Sequence, residues 1–231
     1  FNVRKGEVVG ISGLMGAGRT ELAMSIFGRS YGANISGQIF LNGKEVSFPN
    51  VKSAIKNGVA YVTEDRKGNG LILTESIAKN TTFANLSKIS KKGILDFGLE
   101  NKYAEQMRVE MHTKCATVME DVGNLSGGNM QKVLLGKWLF AEPDILILDE
   151  PTRGIDVGAK YEIYCIINRM VAEGKSVIMI SSEMPEILGM CDRIYVMNEG
   201  KMIAEMNGKD ATQEKIMTEI IKSGKTGNLG V

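Results

Sequence analysis

Short apolar, β-branched runs recur along this chain, and between them lie stretches whose hydrophobic residues return at helical spacing. The run EVVGIS (Glu7 to Ser12) predicts a strand that ends in glycines. RTELAMSIFG then predicts a helix closed by Gly28. GQIFLNGKEVSF (Gly37 to Phe48) predicts a hairpin, because Asn42-Gly43 between alternating segments is a strong two-residue turn signal. VAYVTED (Val59 to Asp65) predicts another strand. From about Asn69 to Asn124 the β-branched runs thin out, Lys, Glu, Ser and Met increase, and ENKYAEQMRVEM has helical spacing, so this segment reads as a mostly helical insertion. The alternation then returns with a helix in NMQKVLLGKWLF, strand ILILDE, a helix from Val157 to Gly174 and strand SVIMIS. RIYVMNEGKMIAEM predicts a hairpin turning at Glu199-Gly200, followed by the helix TQEKIMTEIIKSG and a mobile tail over 223–231. Strands alternating with helices predict an α/β fold with a largely parallel sheet covered on both faces.

Composition narrows the class without naming a function. Hydrophobic residues make up 43% and charged residues 24%, and 28 Lys plus Arg nearly cancel 27 Asp plus Glu, so charge points neither to nucleic acid nor to a basic membrane patch. No apolar run approaches the roughly 20 residues needed to span a bilayer, and no stretch near the start reads as a signal peptide. Cys115, Cys165 and Cys191 lack metal-ligand spacing and are expected to be reduced thiols. His112, in the polar run EMHTK, is expected at a solvated helix position.

Three segments carry chemistry. Gly13, Leu14, Met15, Gly16, Ala17, Gly18, Arg19 and Thr20 follow the spacing of a phosphate-binding loop at every defining position except its lysine, where Arg19 stands. Glycines there let successive N–H groups point at phosphate oxygens, the following helix adds its partial positive charge, and Thr20 offers a hydroxyl to Mg²⁺. A plain strand-to-helix turn has the same outline. ILILDE delivers Asp149 and Glu150 at the carboxyl end of a buried strand, where ligands bind in open α/β sheets. The first carboxylate suits Mg²⁺ and the second suits an attacking water. NLSGGNMQKV places Ser126, Gly127 and Gly128 just before a helix, a second anion site in one chain.

With these three segments in order, the chain resembles the ATP-binding cassette (ABC) ATPases over essentially its whole length. Leu125, Ser126, Gly127, Gly128 and Asn129 match that family's signature, with asparagine for its final glutamine. The resemblance implies a P-loop NTPase fold of ABC type: a mixed sheet core over 1–68 and 118–222, an antiparallel β subdomain, and a helical subdomain over about 69–117. It further implies ATP and Mg²⁺ as ligands, Glu150 as the catalytic carboxylate, Thr20 and Asp149 at the metal, Glu64 and Ser182 at the terminal phosphate, and Asp156 in the loop after the Asp-Glu strand. GLMGAGRTEL, YVTEDRKGNGL, DEPTRGIDVGAKYEIY and ISSEMPEILGMCDRIYVMNEG resemble the second cassette of fused double-cassette subunits that serve bacterial monosaccharide importers of ribose, xylose and galactose type.

That likeness implies a longer polypeptide, with the strand bearing the adenine-stacking aromatic upstream of Phe1. Its implied partners are a first cassette in the same chain, transmembrane permease subunits and, indirectly, a sugar-binding protein outside the cell. The implied place is the cytoplasmic face of the membrane, with no nucleic acid involved. Three positions depart from the family: Arg19 for lysine, Glu64 for the lid glutamine and Ser182 for the switch histidine. Arginine's planar fork does not replace a compact ammonium among phosphates, and Glu64 adds negative charge. The local site is therefore expected to bind nucleotide but hydrolyse it slowly, while the intact signature serves the other cassette's ATP. A soluble ABC ATPase without a permease, or a regulatory nucleotide-binding module, remains the alternative.

Overall fold

A computed structural model of the chain describes residues 1–227. In chain order its elements are β1 (Val8–Gly13), α1 (Arg19–Ile26), β2 (Ile39–Leu41), β3 (Lys44–Val46), α2 (Val51–Lys56), β4 (Val59–Val62), α3 (Ile77–Thr82), β5 (Ser90–Lys91), β6 (Ile94–Leu95), α4 (Phe97–Glu110) and α5 (Gly127–Phe140). There follow β7 (Ile145–Asp149), α6 (Val157–Ala172), β8 (Ser176–Ile180), α7 (Met184–Met190), β9 (Arg193–Asn198), β10 (Lys201–Asn207) and α8 (Gln213–Gly227). Contacts divide the chain into two compact units. The first comprises Phe1–Tyr61, Asp144–Glu150 and Arg169 onward; the second comprises Val62–Pro143 and Pro151–Asn168.

The first unit is built on a six-stranded sheet of order β10-β9-β1-β8-β7-β4. β1 runs parallel to β8 and β9, β7 runs parallel to β8, and β10 runs antiparallel to β9. Central strands that are covered on both faces must be apolar throughout, and Val9, Ile11, Leu146, Ile147, Leu148, Val177 and Met179 are all buried. Burying each such side chain contributes roughly 1.5–3 kcal/mol. α1 packs on β1 and β7, α7 on β1, and α8 on β9 and β10, with Ile216 and Ile220 turned inward. The β2–β3 hairpin turns at Asn42 and Gly43, whose φ values of 52° and 76° fit the expected two-residue turn.

One buried ion network ties the start of the chain to β9. Arg193 donates through Nε and Nη2 to the two oxygens of Glu7, through Nη1 to Glu205, and through Nη2 to Asn2. Burial works against ionising Glu7, but this fork and the Arg4 amide hold its carboxyl below the ordinary glutamate value.

The second unit packs α3, α4 and α5 together around Ile77, Ile89, Met111, Leu134 and Leu135. Ser76 and Asp96 cap α3 and α4 by accepting from the Lys79 and Leu99 amides. Helices dominate as the sequence leads one to expect, with two differences. A small β5–β6 hairpin interrupts them, and His112 lies just past α4 in a left-handed turn (φ 50°), exposed but not helical. β4 also stops at Val62, short of the expected Asp65. At the far end α8 continues to Gly227, and residues 228–231 of the expected tail lie outside the described residues. No described helix is long and apolar enough to cross a membrane.

Candidate functional site

In the first unit, β1 delivers the glycine loop. A Cβ on Gly13 would stand 2.3 Å from the Met197 carbonyl oxygen of the adjacent β9, so the strand can turn there only without a side chain. Gly16 and Gly18 take φ values of 80° and 93°, which L side chains resist. The turn is closed by Ala17 N–H donating to the Leu14 carbonyl at 3.0 Å and pinned by Gly200 N–H donating to Ala17 at 2.9 Å. Leu14, Met15 and Gly16 are exposed, and nothing stands within 4 Å of where a Gly16 Cβ would be. α1 starts at Arg19 with Gly18 as its cap and no side-chain acceptor on its first amides. Those N–H groups and the helix's positive end form an open cradle of the kind that takes phosphate.

Beside it, β7 ends in the two carboxylates. Asp149 is fully buried; its Oδ2 accepts from the Tyr61 hydroxyl at 2.8 Å, while its Oδ1 has no hydrogen-bond partner. Burial raises the Asp149 carboxyl above the ordinary aspartate value, against the opposing pull of the Thr20 and Tyr61 hydroxyls. A buried oxygen left unpaired next to a threonine hydroxyl is a hard-oxygen donor set that fits Mg²⁺. Among the described residues no cluster of three or more His, Cys, Asp or Glu could hold a metal ion.

Glu150 is 7% exposed and adopts φ 49°, with its amide donating to the Ile180 carbonyl at 2.8 Å. Ser182 Oγ donates to Glu150 Oε2 at 3.0 Å, and Arg19 Nη2 stands 3.7 Å from Oε1. Arg19, 8% exposed, also donates through Nη1 to the Ser181 carbonyl at 2.7 Å. The expected residues Gly13 to Thr20, Asp149, Glu150 and Ser182 thus meet in one place. Tyr61 and the Ser181 carbonyl join them without any motif to announce them.

The second unit carries the signature and Glu64. Leu125 is buried and anchors the segment. Ser126 is the cap residue of α5, yet its hydroxyl does not accept from the helix amides. Instead Asn129 Nδ2 donates to Ser126 Oγ at 3.0 Å, while Asn129 Oδ1 accepts from the Lys114 amide at 2.9 Å. The asparagine that replaces glutamine thereby ties the serine to the preceding loop and leaves the α5 amides uncapped. Gly128 is required by packing: a Cβ there would lie 2.6 Å from Ala159 Cβ.

Around Gly127 stands a charged group that the motifs do not reveal. Glu64 forms an ion pair with Arg153, so it is not the bare negative charge expected of it. Arg66 donates to the Arg153 carbonyl at 2.9 Å and passes within 3.1 Å of where a Gly127 Cβ would be. Asp156 accepts from the Ala159 amide at 2.9 Å in the first turn of α6, which holds its carboxyl below the ordinary aspartate value.

A family model described as ABC transporter matches residues 1–153. The chain belongs to the ABC transporter family. L-arabinose transport ATP-binding protein AraG of Geobacillus stearothermophilus is 61% identical over 223 residues, which cover 96% of this chain and 44% of that protein. Xylose import ATP-binding protein XylG of Geobacillus kaustophilus (strain HTA426) is 52% identical, covering 94% of the chain and 43% of its own length. The chain therefore spans less than half the length of these curated relatives. A solved dimer of the ATP-binding cassette MJ0796, bound to ADP and Pi, superposes with a TM-score of 0.76 at 18% identity, covering 90% of this chain and 88% of that one. The mixed sheet with its helices is the ABC cassette fold.

Proposed function

We propose that this cassette energises import of a monosaccharide, as the second of two cassettes in one polypeptide docked on transmembrane permease subunits at the cytoplasmic face. A sugar-binding protein outside the membrane delivers the substrate. Support for the transport role comes from the names of the relatives, and the single observation that carries the division of labour is the contrast between the two anion-binding ends. At the signature the exposed Ser126 leaves α5 without a side-chain cap, whereas the carboxylate at the local cradle is already engaged by protein.

In this reading the amides of Gly13 to Thr20 bind the phosphates of a local ATP. Thr20 and the unpaired Asp149 Oδ1 would hold Mg²⁺, which when bound neutralises charge on the β- and γ-phosphate oxygens. Glu150 is the group that would polarise the attacking water, with Ser182 where the family has histidine. A lysine's compact charge is missing, so transition-state stabilisation at this site is weak and turnover slow. Leu125 to Asn129, with Asp156 and the Glu64 loop, act instead on the ATP held by the first cassette. Ser126 and the amides of Gly127 and Gly128 stabilise charge on its transferring phosphoryl group.

The test is the fused protein reconstituted with its permease in liposomes, assayed for sugar-dependent ATP hydrolysis. Arg19→Lys is expected to raise turnover at the local site at least about threefold, since it restores the point charge. A large rise supports local impairment and no change leaves the substitution silent, while hydrolysis indifferent to permease and sugar would contradict the transport role.

A further inference from the structure

We infer that Arg19, at the lysine position of the phosphate loop, is a positioning residue for Glu150 and not a ligand of the nucleotide. The side chain is committed on both arms: Nη1 to the Ser181 carbonyl at 2.7 Å, and Nη2 toward Glu150 Oε1 at 3.7 Å. Both residues are buried, and Ser182 takes the other Glu150 oxygen at 3.0 Å. The Glu150 backbone is itself fixed in a left-handed conformation (φ 49°) by its amide hydrogen bond to the Ile180 carbonyl, so the carboxylate is presented to Arg19 from a set position. A lysine ammonium has no planar fork with which to bridge a carbonyl and a carboxylate in this fixed geometry; a guanidinium does. The arginine's charge is also felt by Asp149, where it offsets part of the repulsion from Glu150.

The inference rests on the proposed nucleotide site and gives the arginine a different part in it. If Arg19 grips phosphate, its loss costs affinity whatever stands at position 150. If it neutralises Glu150, its loss exposes an uncompensated buried carboxylate beside the triphosphate, and removing that carboxylate's charge cures the defect.

The experiment measures calorimetric binding of Mg²⁺ with a non-hydrolysable ATP analogue to the purified protein, and thermal melts, for wild type, Arg19→Met, Glu150→Gln and the double variant. Arg19→Met is expected to weaken binding about tenfold, and adding Glu150→Gln to return it to within about threefold of wild type. A double variant as weak as Arg19→Met, or no loss in Arg19→Met, overturns the inference. Should Arg19→Met fail to fold, Arg19→Gln removes the charge but keeps a polar side chain and is read against Arg19→Gln/Glu150→Gln in the same way. Wild type that binds no analogue overturns the nucleotide site itself. The pair is then still judged by the melts, where the two substitutions are expected to be non-additive and simple additivity contradicts the pairing.

Discussion

The two units each present a helix start without a side-chain cap, and they differ in how the side chains around it are engaged. In the first, the loop before α1 is open, but the charged side chains around it are engaged: Arg19 with Glu150 and Ser181, Glu150 with Ser182, Asp149 with Tyr61. In the second, Asn129 draws the Ser126 hydroxyl away from the α5 amides, and those amides carry no side-chain cap. A motif that reads as altered and a motif that reads as nearly intact therefore differ in more than one residue each. The first ties its charged side chains to one another while leaving Asp149 Oδ1 unpaired and α1 without a side-chain cap; the second ties Ser126 to Asn129 and leaves α5 without one.

The largest effect expected from breaking this contrast lies in the buried support of the first unit. Arg193→Met strands Glu7 without its fork and should cost about 3–5 kcal/mol in urea unfolding. Because Arg193 lowers the Glu7 carboxyl, the stability it contributes is present above the ordinary glutamate value and is lost as pH falls through the lowered one. The variant should accordingly unfold at higher pH on acidification. Hydrogen exchange should show β1 and β9 losing protection before α5; equal loss would mean the two units open as one.

Next is Gly13→Ala, which forces a methyl against the Met197 carbonyl and should cost about 1–3 kcal/mol, with loss of nucleotide-dependent stabilisation in a thermal-shift assay. Asp149→Asn should be milder and of opposite sign without metal. Burial raises this carboxyl, so folded protein keeps the proton that the unfolded chain has lost, and the group reduces stability as pH rises through that range. The amide should add about 1 kcal/mol near pH 8 in chelator and abolish any stabilisation by Mg²⁺. Smallest is Asn129→Ala, which frees Ser126 from the Lys114 loop at a cost of about 1 kcal/mol, measured by thermal melt.

Local signals made much of this legible. Asn42-Gly43 and Glu199-Gly200 each announced a hairpin, and both turns have paired positive φ values. Continuous apolar runs announced β7 and β8, and helical spacing announced α4 and α6. The β5–β6 hairpin gave no such warning, because two-residue strands leave no periodicity to read, and His112 sits where α4 has already ended. Within the candidate site the glycine loop, Asp149, Glu150 and the signature are contiguous motifs. What escaped is pairing at a distance: Arg19 with Ser181, Tyr61 with Asp149 and Glu64 with Arg153 are each separated by more than eighty residues. Their partners are fixed by strand order and loop path, and no spacing rule within a single sequence encodes those.

The most direct test compares two variants of this cassette in the assembled transporter, by rate of sugar-dependent ATP hydrolysis. Gly127→Asp crowds Arg66 and sets a carboxylate at the start of α5, where it competes with phosphate for the amides and the guanidinium; Glu150→Gln disables only the local carboxylate. If the signature serves the other cassette's ATP while the local site contributes little, Gly127→Asp should lower the rate about 100-fold or more and Glu150→Gln less than about fivefold. A greater loss in Glu150→Gln than in Gly127→Asp would contradict the account.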